Sequence, residues 1–147
     1  MSDYPVWWDQ TITIYNKYED PTTQIITWYR RTISDCFWKY ERDIAKINDV
    51  TLETNYTICR IPKNDAFIEK YEWVTQPNDE MADYFTLGIG DIIIRGEVED
   101  EIDEYVKGHR SSDIIAKYKD LQGCIQIEAV SINVGAGRCN EHYYVQG

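Results

Sequence analysis

Histidine is scarce in this chain, with two in 147 residues. The commonest acid–base and metal-binding side chain is therefore missing from most of its length. His109 lies in a Lys-Gly-His-Arg stretch that reads as a solvated loop, and His142 stands among tyrosines in a strand-like run, where a packed role is expected. Cysteine is sparse as well. Cys36, Cys59, Cys124 and Cys139 are far apart, with no Cys-x-x-Cys pair and no histidine at ligand spacing, so a zinc site is not expected. Positive charge is outweighed: 15 Lys and Arg stand against 26 Asp and Glu, a net charge of −11. A protein that grips phosphate carries the opposite balance, which argues against sequence-specific nucleic-acid binding and against docking on an anionic membrane. No apolar run approaches the roughly 20 residues of a membrane-spanning helix. The opening MSDYPVWWDQ lacks the pattern of a secretory signal, so synthesis in a reducing cytoplasm with free thiols is expected.

Nucleophile and phosphate motifs are missing too. No serine sits in a Gly-x-Ser-x-Gly turn. Gly88-Ile-Gly90-Asp91 lacks the third glycine and the following helix of a dinucleotide fingerprint, and Gly135-Ala-Gly137-Arg138 lacks the Gly-Lys-Ser/Thr of a phosphate loop. Both read as turns. No catalytic residue, no metal and no cofactor is expected.

What the chain has is aromatic side chains: 12 Tyr, 5 Trp and 3 Phe, 14% of the residues. Aromatic and β-branched residues suit a pleated, half-buried surface, and Tyr and Trp are enriched where proteins meet. Thr11-Ile-Thr-Ile-Tyr15 alternates with the period of a half-buried strand. From Ile25 to Tyr40, Trp28, Arg30 and Thr32 share one face and Tyr29, Arg31 and Ile33 the other. Ser34-Asp35 interrupts the run, giving two strands or one bent by a bulge. Asp43 to Val50 reads as a polar connector with room for a helical turn, and Thr54 to Ile61 alternates again until Pro62. Tyr84 to Leu87 reads as a short strand, Gly88 to Asp91 as a tight turn and Ile92 to Ile94 as a buried strand. Ser111-Ser-Asp113 starts the one convincing helix. The alternation after Ile125 slips by one at Ala129-Val130, which suggests a bulge, and residues 141–145 form a closing strand. The pattern predicts one mainly β domain over residues 1–147: a small antiparallel β-barrel or sandwich with one short helix and long loops.

The aromatic N-terminus suggests that residues 1–10 form a docking arm, with Tyr4, Trp7 and Trp8, together with Trp73, as candidate interface residues. The run from Glu97 to Glu104 holds six carboxylates: Glu97, Glu99, Asp100, Glu101, Asp103 and Glu104. A solvated loop is the plain reading, since the run lacks the spacing of a calcium loop. In a ring of copies the same carboxylates would line a channel and repel phosphate within a Debye length of roughly 8 Å.

Several segments together resemble small phage and prophage proteins of Gram-positive hosts. They are Ile12-Thr-Ile-Tyr-Asn-Lys17, Thr27-Trp-Tyr-Arg30, Cys36-Phe-Trp38, Gly90-Asp-Ile-Ile-Ile-Arg-Gly96, Ser112-Asp-Ile-Ile115 and His142-Tyr-Tyr-Val-Gln-Gly147. These proteins are similar to head-completion (head-closure) or minor capsid proteins of the head–tail connector; Tyr143 stands where that group has tryptophan. The resemblance implies a small β-barrel in a ring of six or twelve copies in the virion neck, made in the host cytoplasm. Its partners would be itself, portal or adaptor proteins and tail proteins. Double-stranded DNA would pass through without specific binding, and no membrane is involved. A tail-terminator or adaptor ring of the same junction is the near alternative. From another class, a small ligand-binding or enzymatic β-barrel would show a pocket around Trp28, Trp73 and His142.

Overall fold

Threonine and isoleucine alternate from Thr11 to Ile14, and a period of two puts Ile12 and Ile14 on one face of a strand. That strand, β1 (Gln10–Glu19), lies near the middle of a seven-stranded sheet. The computed structural model describes residues 5–77, 79–134 and 141–147, with the backbone alone at Asp43 and Thr54. The other strands are β2 (Ile26–Ile47), β3 (Val50–Pro62), β4 (Ile92–Arg95), β5 (Cys124–Gln126), β6 (Ala129–Asn133) and β7 (His142–Gln146). Among the described residues, two helices, α1 (Lys70–Trp73) and α2 (Ser111–Lys119), and one 3-10 turn (Met81–Asp83) complete the set. The spatial order is β5-β4-β1-β2-β3-β7-β6, with antiparallel pairing throughout. The sheet curls into a half-barrel. Its two edge strands, β5 and β6, are consecutive in sequence, so the chain itself crosses the seam at Ile127-Glu128.

The concave face holds the main core, in which Ile12, Ile14, Ile33, Cys36, Cys59, Ile61, Ile93, Ile125, Tyr143 and Val145 meet Phe85 and Leu87. Burying each of the Ile, Leu, Val and Phe side chains among these stabilises the fold by about 1.5–3 kcal/mol. A second core covers the convex side, where Tyr15, Trp28, Ile92 and Ile94 pack under Val98, Ile102 and Ile114. β4 thus faces apolar neighbours on both sides, which is why Ile92-Ile-Ile94 has no polar alternation.

The interruption at Ser34-Asp35 is a bulge inside one strand. Gln10 pairs with Cys36 but Ile12 pairs with Ile33, so β2 carries one extra residue there, and Asp35 adopts φ +60°. Ile33 and Cys36 have opposite parity, and the extra residue is what brings both to the concave face. Three expectations need correction. Residues 43–50 hold no helical turn; β2 runs on to Ile47 and reverses through Asn48-Asp49, at φ +50° and +64°. Both residue types tolerate the left-handed region that a two-residue hairpin requires. Residues 84–87 contribute a single bridge, Phe85 to Phe67, in place of a strand. The parity slip at Ala129-Val130 is a change of partner: β5 pairs with β4, and after Ile127-Glu128 the chain pairs with β7 as β6. The turn expected at 135–137 lies outside the described residues.

Candidate functional site

The feature that sets this half-barrel apart is the far end of the β2–β3 hairpin. Pairing continues from Phe37–Arg60 out to Ile47–Val50, well past the last residue of β2 that β1 reaches. From position 41 to the turn the hairpin is an arm about 23 Å long, at roughly 3.3 Å per residue. Every residue from 44 to 53 is exposed. Four of the arm's side chains are large, apolar and 48–61% exposed, namely Ile44, Ile47, Val50 and Leu52, and Tyr40 at its base is 60% exposed. Cross-strand pairing puts Ile47 beside Val50 and Leu52 beside Ala45 on one face, with Ile44 on the other, in line with Tyr40 and Trp38. Arg42 and Glu53 close an ion pair across the strands at 2.7 Å, and Lys39 pairs with Glu41 at 2.7 Å. Such exposed pairs contribute little stability. A two-stranded ribbon with apolar groups on both faces is marginal by itself in water.

At the base of the arm lies a cleft of about 790 Å³. Trp38 and Tyr40 form one wall, and the end of α2 with residues 119–126 forms the other. Gly123, at φ +103°, lets the second wall come close, because a Cβ there would stand 3.0 Å from the Trp38 ring. Leu121 is 72% exposed at the rim. Burial pushes the Cys124 thiol up to about 12, so it stands protonated in the cleft wall. Burial likewise raises the Cys36 and Cys59 thiols. None of these three has the depressed pKa of a nucleophile.

The acidic run is divided by its two apolar members. Val98 and Ile102 insert into the convex core and hold the segment along the sheet. Asp100 accepts hydrogen bonds from Lys117 Nζ at 2.8 Å and from the Tyr118 hydroxyl at 2.6 Å, while its carbonyl accepts from the Tyr15 hydroxyl at 2.7 Å. The Lys117 and Tyr118 bonds hold its carboxyl below the usual range. Glu101 pairs with Arg30 at 2.9 Å. Glu104 accepts from the Trp28 indole at 3.2 Å and from the Ser111 amide at 2.8 Å. Burial alone would raise its carboxyl, but the bonds from Ser111 and Trp28 outweigh it and leave the pKa lowered. Asp103 accepts from the Tyr105 amide, and Glu97 and Glu99 are exposed. The free-loop reading is therefore corrected for Asp100, Glu101 and Glu104: they strap the segment to β2 and α2.

The tryptophan candidates separate. Trp7 is exposed. Trp8 is buried by the chain itself, edge-on to His142 at 5.6 Å and tilted on Phe37 at 6.2 Å. With β1 starting at Gln10, residues 8–10 belong to the domain and are no docking arm. Trp73 is fully buried, edge-on to Tyr29 at 5.5 Å and Tyr18 at 6.1 Å, with its indole donating to the Met81 carbonyl. It is core, because an aromatic run with one polar N–H finds its acceptor in the neighbouring turn. Tyr4 and Cys139 lie outside the described residues. Trp28, Trp73 and His142 are not brought together: each packs in a different part of the fold.

One polar centre is buried under the Gly88–Asp91 turn. Asp91 accepts from Asn16 Nδ2, the Lys17 amide and the Gly88 amide, each at 3.0 Å, and from Lys70 Nζ at 3.4 Å. Burial raises its carboxyl, with Lys70 and these bonds opposing. All of its neighbours are structural, tying the turn to β1 and α1. Among the described residues no group of three His, Cys, Asp or Glu comes together to hold a metal ion, and no helix is long and apolar enough to cross a membrane.

Residues 7–147 match a family of unknown function (DUF6751). The chain belongs to that family. No curated protein and no solved structure matches this DUF6751 member. The arm was hidden in the sequence because residues 43–50 are polar and apolar in equal measure. Its one local signal is Asn48-Asp49, the kind of pair that occupies two consecutive left-handed positions.

Proposed function

We propose that this chain is a structural protein that works by assembling with copies of itself, as a ring at the head–tail junction of a tailed phage. The observation that carries the assembling part is the arm of residues 41–56, which exposes Ile44, Ile47, Val50 and Leu52 to solvent on two faces. A lone soluble protein keeps such groups scattered, and a projecting apolar ribbon is the usual mark of a contact surface. The junction part rests on the resemblance of the segments from Ile12 to Gly147 to head-completion proteins. On this reading the ring joins a portal or adaptor to the tail, its copies number six or twelve, and no bond is made or broken in it. Glu97, Glu99 and Asp103, exposed on the acidic segment, suit a wall past which DNA slides. A tail-terminator or adaptor ring uses the same contacts. The test is the mass of the purified chain in solution, followed by electron microscopy of the assembled species. A ring with rotational symmetry is expected. A monomer at every concentration reached overturns the reading.

A ligand-binding role has one observation in its favour. The cleft of about 790 Å³ beside Trp38 and Tyr40 lies within the roughly 300–1,000 Å³ typical of small-molecule sites. Binding there would quench Trp38 fluorescence and raise the melting temperature in proportion to the logarithm of ligand concentration.

A further inference from the structure

The convex face of the sheet is covered over one half, where Val98, Ile102 and Ile114 pack on Tyr15, Trp28, Ile92 and Ile94. Over the other half, among the described residues, no helix packs on β3, β6 or β7. There the side chains that alternate away from Cys59, Ile61, Tyr143 and Val145 form a row across the strands. Phe37 pairs with Arg60, Arg60 with Tyr144, and Tyr144 with Ser131. The Arg60 guanidinium lies over both flanking rings, 5.3 Å from the Phe37 centroid and 5.6 Å from that of Tyr144. Trp8 in turn leans on Phe37 at 6.2 Å. We infer that Arg60 is a docking point for a single carboxylate, an aspartate or glutamate side chain carried by a partner protein.

The first support is an unused set of donors. Three of the described Lys and Arg residues are half-buried: Arg31, Arg60 and Lys70. Arg31 donates to the Asp83 carbonyl at 3.2 Å, and Lys70 to the Lys17 carbonyl at 2.9 Å and to Asp91. Among the described residues, none accepts a hydrogen bond from the Arg60 guanidinium or pairs with its charge. A half-buried cation without an acceptor is an exception that calls for a cause. It stands out in a chain with 26 carboxylates to 15 Lys and Arg.

The second is preorganisation. Contacts with two rings fix the position of the guanidinium without offering a lone pair to any of its five N–H donors. A fork held in place matches the two oxygens of a carboxylate and has little freedom left to lose on binding.

Charge and shape then choose the ligand. On this row and the next two toward the arm, the other charged residues are Lys39 and Glu41, which pair with each other at 2.7 Å. One unpaired positive charge matches a carboxylate. Asp9 and Asp35, exposed next to Trp8 and Cys36 in sequence, form no ion pair with Arg60 and disfavour a polyanion such as a nucleic acid. Phe37, Arg60 and Tyr144 lie outside the cleft beside Trp38. An open sheet face suits a side chain presented by another protein better than a free small molecule, which takes a concave site. Arginine framed by aromatic rings is also the composition of an interface hot spot. The site is separate from the assembling role of the arm, and either stands without the other.

The experiment follows the Arg60 Nε–Hε signal of the full chain by nuclear magnetic resonance, assigned through its disappearance in Arg60→Lys. The probes are two capped tripeptides, Leu-Glu-Leu and Leu-Gln-Leu, added to millimolar concentration. The glutamate peptide is expected to shift the signal saturably, and the glutamine peptide to leave it in place. Arg60→Lys keeps the charge and loses the fork. Its affinity for the glutamate peptide, read from the Phe37 and Tyr144 amides, should fall by about tenfold, with the fold checked by circular dichroism. Equal shifts from both peptides, no shift from either, or undiminished binding by a folded Arg60→Lys overturns the assignment.

Discussion

The indole of Trp28 donates a hydrogen bond at 3.2 Å to the carboxylate of Glu104, joining β2 to the acidic segment 76 positions further on. The same carboxylate receives the Ser111 amide at the start of α2, so one side chain couples a strand, a segment and a helix. That role separates Glu104 from the exposed carboxylates beside it. Glu104→Ala leaves the indole and the amide without their acceptor and is expected to cost about 1 kcal/mol. Glu97→Gln with Glu99→Gln is expected to change stability by less than about 0.5 kcal/mol. Urea titrations of the two variants check the contrast; equal effects would show that the segment behaves as a uniform charged loop.

Acid should loosen this strap before it unfolds the sheet. Asp100 and Glu104 both titrate below the ordinary carboxylate range in the folded chain. Their stabilisation is therefore complete above the unfolded values, near pH 4, and disappears as pH falls through the lower folded values. Asp91 has the opposite sign. Its pKa is raised by burial, so protonation relieves a cost and does not drive unfolding. Trp28 fluorescence should respond to acid at a higher pH than the far-ultraviolet dichroism of the strands. Coincident transitions would mean that the strap and the sheet unfold together.

The strands were legible wherever one face is buried and the other is wet. Ile12 and Ile14, Cys59 and Ile61, and Tyr143 and Val145 show that alternation, and each pair faces the concave core. Legibility failed where long-range packing decides. Trp73 looks like an interface residue in sequence, but Tyr18 and Tyr29, more than 40 positions away, enclose it. The arm failed for a different reason: a ribbon wet on both faces has no alternation to read, and only the Asn48-Asp49 turn betrays it. Of the acidic run the charge was plain, and the anchoring was not, because it depends on Val98 and Ile102 reaching a core built by β1, β2 and β4.

The centre under the Gly88–Asp91 turn yields paired expectations of opposite sign. Asp91→Ala strips acceptors from Asn16 Nδ2 and from the amides of Lys17 and Gly88, and should cost about 3 kcal/mol. A few residues away, the Thr86 hydroxyl is buried without a hydrogen-bond partner. Thr86→Val replaces it with a methyl of the same shape and should leave stability unchanged or raise it by about 1 kcal/mol. Thermal melts of both check this; a large loss in Thr86→Val would reveal a partner for the hydroxyl.

The adjacent tryptophans near the N-terminus should behave as opposites. Trp8 rests on Phe37 and against the edge of His142, shielding the convex side of β2 and β7. Trp8→Ala opens that contact at the rim of the sheet and is expected to cost about 2–3 kcal/mol, somewhat under the range for a central tryptophan. Trp7 is 64% exposed, and Trp7→Ala should shift the melting midpoint by less than a degree or two at this chain length. If Trp7 meets a neighbouring copy, its removal lowers the assembled fraction while the melt of the dilute chain stays put. Matching destabilisation by both substitutions would place Trp7 in the fold alongside Trp8, and leave the arm of residues 41–56 as the apolar surface available to a partner.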